Sequence, residues 1–331
     1  MGGRLLFGLL AIPGLVAGTV ASLGGCLAPG LAGAEPIAIN AVPVRLSTED
    51  RDRNSVGQLH YRGGLHLRAD DRRFGGLSAL GISADGRRLV ALSDSGHRFS
   101  ARLEYDRSGN LAGLYDTDFG SLAGLDGRSL SSKADGDAES MAPGVEGEII
   151  VAFERRHRLW RYRPGITVPE PLPEPVEMSD LPFNNGVEAL TLLADGSLLA
   201  LSEGKIDKNS VVGWIRDGND WSALTYLTGG GFRVTGATTH PNGDVLVLER
   251  LFTPRGKNGI RLKRIKASNI KGGGRLEGKT VAELRPSLTI DNFEGIEARR
   301  EQQGGVLVYF ISDDNFNSKQ RTLLMIFELS D

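Results

Sequence analysis

Cysteine and histidine are both scarce: one Cys and five His in 331 residues. Cys26 stands inside an apolar N-terminal stretch, so the rest of the chain has no disulfide, thiol nucleophile or cysteine metal site. None of the histidines has metal-ligand spacing, which argues against a zinc centre. Strong net charge is also missing. The 39 basic and 41 acidic residues leave −2 overall, with no bulk field for nucleic acid. No G-x-S-x-G elbow occurs, and no amphipathic helical pattern of ordinary length follows residue 40.

The N-terminus reads as a targeting segment. An early arginine, Arg4, precedes a long apolar stretch, and Ala32-Gly33-Ala34 before Glu35 fits a signal-peptidase site. This predicts an exported protein, periplasmic or extracellular, with a leader at 1–34, a linker at 35–55 and a single domain at 56–331. Leu23-Gly24-Gly25-Cys26 offers a second reading, a lipobox that would tether the chain to the membrane through Cys26. Nothing else in the sequence calls for a membrane, a nucleic acid or a second subunit, so a monomer acting on a small molecule is expected.

What the chain has in abundance is glycine, 45 residues, much of it in turns. NNGVEALTLLADGSLLALSEG, from Asn184, places two apolar runs around an Asp-Gly turn, which is a strong hairpin signal. Relatives of it begin at Gly75, Asp137, Val234 and Asn292. Pairing Glu188 with Glu203 puts the midpoint on Asp195-Gly196. Pairing Glu139 with Glu154, Glu294 with Asp313, Ser78 with Asp94, and Gly236 with Glu249 likewise centres each hairpin on a turn. Further strand-like segments follow each hairpin, and the unit recurs every 48 to 61 residues. That period predicts an all-β fold, a β-propeller of five or six four-stranded blades. The segment from Val56 would close the ring as an N-terminal strand. A β-sandwich is the alternative, but it leaves the repeat unexplained.

In such a ring the hairpin ends opposite the turns meet at one mouth of the channel. Glu139, Glu188 and Glu294 are expected there, with Asp94, Glu154, Glu203, Glu249 and Asp313 close by and Asp291, Glu297 and Asp314 as additions. Crowded carboxylates repel unless some protonate or a cation joins them, and an all-oxygen donor set suits Ca²⁺. The candidate metal ligands are therefore Glu139, Glu188, Glu203, Glu294, Asp94, Glu154 and Asp313. Arg98, Arg155, Arg156, His157 and Lys205 follow the acids in basic loops and are the candidate substrate-binding groups. Taken singly, each acid could equally bind backbone amides, and each base could be solvated surface. Trp160, Trp214 and Trp221 fall on outer strands and are expected to pack between blades.

FGGLSALGISADGRRLVALSDSG, DAESMA with VAFERRHRLWRY, NNGVEALTLLADGSLLALSEG, and DNFEGIEA with YFISDDNFN together resemble the phytase-like domain family, "esterase-like activity of phytase". The resemblance runs from about Gly57 to Leu329. It implies an exported bacterial protein hydrolysing phosphate or other esters, and its acidic ring is similar in kind to the calcium-filled channel of β-propeller phytases. No phytase catalytic motif maps onto this chain residue by residue. Two alternatives stay open: a non-catalytic binding propeller, and a carboxylic-ester or lactone hydrolase.

Overall fold

A computed structural model describes residues 31–330 apart from 131, 145–146, 254–255, 257 and 303, with backbone alone at 31–33. Cys26 and most of the leader lie outside the described residues. The regular structure is almost entirely strand, arranged as five sheets in a ring, antiparallel except where Arg275–Leu276 pairs in parallel with the outer strand of blade 3. From the centre outward, blade 1 holds Leu77–Ile82, Arg88–Ser93, His97–Tyr105 and Leu111–Leu122. Blade 2 holds Ala138–Pro143, Ile149–Phe153, Arg158–Tyr162 and the short Glu170–Pro171. Blade 3 is Val187–Leu192, Leu198–Asp207, Ser210–Asp217 and Asp220–Leu227. Blade 4 is Arg233–Thr239, Val245–Leu251, Gly259–Ile265 and Lys279–Leu284.

Blade 5 takes Asn292–Arg300, Val306–Asp313 and Thr322–Leu329 from the end of the chain, and Leu59–Arg68 from its beginning. Leu59 faces Leu329 and Leu67 faces Thr322 across that antiparallel pair. The segment expected to be a linker is instead part of the fold. Asn40–Pro43 pairs with Leu65–Arg68, and Leu46 is 1% exposed within the core.

The turns lie where the Gly signals put them. Gly196 and Gly243 sit at φ +88° and +93°, a region that only glycine enters without strain. The core is divided into five apolar clusters, one in each gap between consecutive blades, including the gap between blades 5 and 1. Trp214 fills the gap between blades 2 and 3 and Trp160 the gap between blades 1 and 2. Each sheet is thus apolar on both faces, and the ring is held by face-to-face burial rather than by one central core.

Leu324 is fully buried where blade 5 meets blade 1. Leu324→Ala is expected to lower unfolding free energy by about 2–5 kcal/mol in a denaturant titration. A loss under about 1 kcal/mol would mean that this gap is not a packed interface.

Candidate functional site

Near the mouth, the pairing between the first two strands slips by one residue in all five blades. In blade 3, Ala189 faces Leu201 but Val187 faces Ser202, leaving Glu188 as the extra residue. The same slip leaves out Ser78, Glu139, Thr235 and Glu294. A bulge of this kind re-aims the side chain of its unpaired residue. Here Glu188 and Glu294 line the lumen, while the hydroxyls of Ser78 and Thr235 bond to the next blade, at Ala138 O and Phe293 O. Deeper in, Leu80, Met141, Leu190, Ala237 and Ile296 close the channel to a void of about 10 Å³, room for one water at most.

The slip moves the second-strand partners by one place from the register expected from midpoints. Asp94, Glu154 and Glu203 donate their backbone N–H to Gly76, Asp137 and Gly186, while Asp313 faces Asn292. In blade 4 the residue at this level is Arg250, which faces Arg233. Glu249 lies one residue earlier and so points to the other side of its sheet. It is fully buried there, accepting hydrogen bonds from Tyr226 Oη (2.8 Å) and Arg261 Nε (2.5 Å), with Lys263 at 3.4 Å. Thr235, not Gly236, is the counterpart of Glu188. Gly236 is required because a Cβ there would lie 2.4 Å from the Glu294 carbonyl oxygen.

One carboxylate absent from the sequence-based set completes the densest part of the mouth. Asp137, at the start of the blade 2 inner strand, is fully buried, and Asp137, Glu139 and Glu154 each offer an oxygen within 4.8 Å of the others. Lys133 (2.7 Å) and Arg155 both pair with Asp137, neutralising part of this charge. The Glu154 Oε1 accepts the Gly186 N–H at 3.1 Å. A clue was available in sequence: Asp137 and Asn292 both stand two residues before a bulged glutamate.

Burial, then like charge, sets the protonation of this group. Desolvation followed by the Glu188, Asp137 and Glu294 carboxylates raises the Glu139 pKa well above its ordinary value. Glu188 is raised well above too, by burial and then Glu203 and Glu294. For Glu294 the order is burial, then Asp313, with the Arg250 guanidinium in partial opposition. Burial pushes both Glu154 and Asp313 up to about 7. Asp94 is raised by burial against the pull of Lys133. The three bulged glutamates keep some contact with solvent in the mouth, so they are crowded rather than sealed away. Crowding of this kind favours the protonated carboxyls unless a cation takes the place of the protons.

The basic residues singled out from sequence are largely committed elsewhere. Arg155 pairs with Asp137 and lies over the Phe183 ring, Arg156 pairs with Asp135, and Arg98 is 3% exposed. His157 bonds to the Pro182 carbonyl at 3.2 Å, and Lys205 is exposed on the second strand of blade 3. Of the other acids, Glu203 is bridged by Arg233 at 3.1 Å, and Asp291 by Arg321 at 3.2 Å. Asp314 accepts from the Gly76 N–H and the Thr322 hydroxyl, both at 3.0 Å. Glu297 is away from the mouth, accepting from Thr238 Oγ1 and Ala298 N at 3.0 Å each.

A model of the Phytase-like family, "Esterase-like activity of phytase", matches residues 72–316. The chain belongs to this family. The matched span contains every carboxylate of the mouth, from Asp94 to Asp313. No curated protein matches it. Among solved structures, an α-L-arabinofuranosidase from Podospora anserina, in complex with cellotriose, is similar with TM-score 0.49 and 13% identity, over 83% of this chain and 98% of that one. A Dyadobacter fermentans protein of unknown function aligns with TM-score 0.42 and 12% identity, over 88% and 99%. The PQQ-bound aldose sugar dehydrogenase from Streptomyces coelicolor gives 0.42 and 12%, over 92% and 100%.

Burial pushes Glu297 from an ordinary 4.5 up to about 7. Because the folded value is the higher one, its contribution to stability is lost as pH rises from 4.5 through about 7. Glu297→Gln keeps an acceptor for Thr238 and is expected to stabilise the protein by about 2–3 kcal/mol at pH 8.5, and negligibly at pH 4.5. Unfolding curves at the two pH values check this. A difference that does not change with pH would contradict it.

Proposed function

We propose that this propeller is an exported, metal-dependent hydrolase of phosphate esters, with Ca²⁺ as the ion that fits its donors. The observation that carries the reading is the convergence of Asp137, Glu139 and Glu154 to within 4.8 Å at the mouth of the ring. Three hard oxygen donors without nitrogen or sulfur suit Ca²⁺ or Mg²⁺ over zinc. Buried carboxyls pushed toward protonation are also where a cation gains most, since it replaces both the proton and the repulsion. Membership of the phytase-like family supports ester chemistry and leaves the ester class to experiment.

In this reading Asp137, Glu139 and Glu154 hold the ion, and Glu188 stands next to them on the adjacent bulge. A divalent cation there supplies Lewis-acid polarisation of a phosphoryl oxygen. Lys133 and Arg155 fix the Asp137 carboxylate through their ion pairs. The Gly186 N–H does the same for Glu154. Glu188, whose carboxyl is raised well above its ordinary pKa by burial and then by Glu203 and Glu294, would give its proton to the alkoxide that leaves as water bonds to phosphorus. The closed apolar floor beneath keeps reactants on the mouth side. The apolar leader supports export, with lipidation at Cys26 as the variant form.

The test is hydrolysis of a chromogenic phosphomonoester by the mature protein, with Ca²⁺ and with chelator, beside an acyl ester and a lactone. Turnover of the phosphoester that needs the ion and falls at least about a hundredfold in Glu139→Gln is expected. In parallel, Ca²⁺ at a hundred times its Kd should add about 2.7 kcal/mol of stability to the wild type and none to Glu139→Gln. Absence of turnover with every divalent ion would refute the hydrolase. Cleavage of the acyl ester or lactone alone would move the activity to that class.

A further inference from the structure

The mouth is acidic on four blades and basic on one. At the level where Asp94, Glu154, Glu203 and Asp313 stand, blade 4 presents Arg250. Beside Arg250 opens a cavity of about 850 Å³ between the loops of blades 4 and 5. Lys319 and Arg321 enter it from blade 5, Asn258 and Phe252 from blade 4, and Asn292 forms its inner wall. Arg321 is paired with Asp291 at 3.2 Å, but among the described residues neither Arg250 nor Lys319 has a carboxylate within ion-pair distance. The Arg250 guanidinium lies over the Phe252 ring at 5.9 Å, so the cavity holds two cations without an ion pair, one of them against an aromatic face.

Asn292 joins the cavity to the acidic mouth. Its Nδ2 donates to Glu294 Oε1 at 2.8 Å, and its buried Oδ1 has no hydrogen-bond partner. The guanidinium of Arg250 is close enough to Glu294 to act against the rise in its pKa. A ligand bridging the two regions would put a negative group against Arg250 and Lys319 and its body against the exposed Phe252 ring. Its reacting end would reach the carboxylates.

We propose that the cavity between blades 4 and 5 is an oxyanion subsite in which Arg250 and Lys319 hold a phosphate group of the substrate. It deepens the phosphoester reading and in that sense rests on it. It differs from the sequence-based expectation by placing the anion on blades 4 and 5 rather than on the Arg155–Arg156 loop of blade 2. Arg and Lys are strong phosphate partners because each bond is charge-assisted, and the amides of Asn258 and Asn317 add neutral donors along the wall.

Inorganic phosphate is the probe, titrated calorimetrically in chelator so that no metal can hold it, with succinate as the competing dianion. Saturable binding that weakens about tenfold in Arg250→Gln or Lys319→Gln, and is unchanged in Arg156→Gln, is expected. Circular dichroism and melting temperature establish that the variants fold. Binding that survives both substitutions, or wild-type protein that does not bind phosphate, overturns the subsite, and so does tighter binding of succinate. Because the titration needs neither metal nor turnover, failure of the hydrolase assay with phosphate binding intact would refute the enzyme and leave the subsite standing.

Discussion

A single-residue bulge, repeated at the mouth end of every innermost hairpin, decides what this ring can do. It sets Ser78, Glu139, Glu188, Thr235 and Glu294 out of the ladder. It also fixes by parity which residue of each second strand faces the mouth. In blade 4 that parity brings Arg250 forward and sends Glu249 into the interior, where Tyr226, Arg261 and Lys263 satisfy it. Without the slip, the basic sector would become a fifth acidic one.

From this follows an electrostatic constraint. Glu188 and Glu294 line a lumen too narrow for more than one water, and Glu139 stands with Asp137 and Glu154 beside it. Where Ser78 and Thr235 replace glutamate, hydroxyls tie one inner strand to the next and contribute no charge. The ring is thus graded: densest around blade 2, partly neutralised there by Lys133 and Arg155, and positive at blade 4. An acidic centre with one basic flank is a polarised receptor, suited to a cation on one side and an anion on the other.

Much of the architecture was legible because Gly turns and apolar runs are local signals. The hairpins from Gly75, Asp137, Asn184, Val234 and Asn292 became the five blade centres, and Trp160 and Trp214 pack between blades. The bulge was not legible, since an extra residue in one strand leaves no mark on the composition of a hairpin. Midpoint pairing therefore took Gly236 for Thr235 and Glu249 for Arg250. The fate of the basic residues was also hidden. Arg155 and Arg156 look free in sequence, but the turn before blade 2 supplies Asp135 and Asp137 to hold them. The segment at 35–55 looked like a linker because Asn40–Pro43 is a strand of only four residues, adding to the edge of blade 5 beside Leu65–Arg68.

The central claim is that the mouth carboxyls are balanced by protons when empty and by a divalent cation when filled. Calorimetric titration of Ca²⁺ into the mature protein near pH 7, in two buffers of different ionisation enthalpy, tests this most directly. The account predicts binding with net proton release that diminishes as pH is raised and more of the carboxyls ionise. Failure to bind, or binding that moves no protons at pH 7, would contradict it.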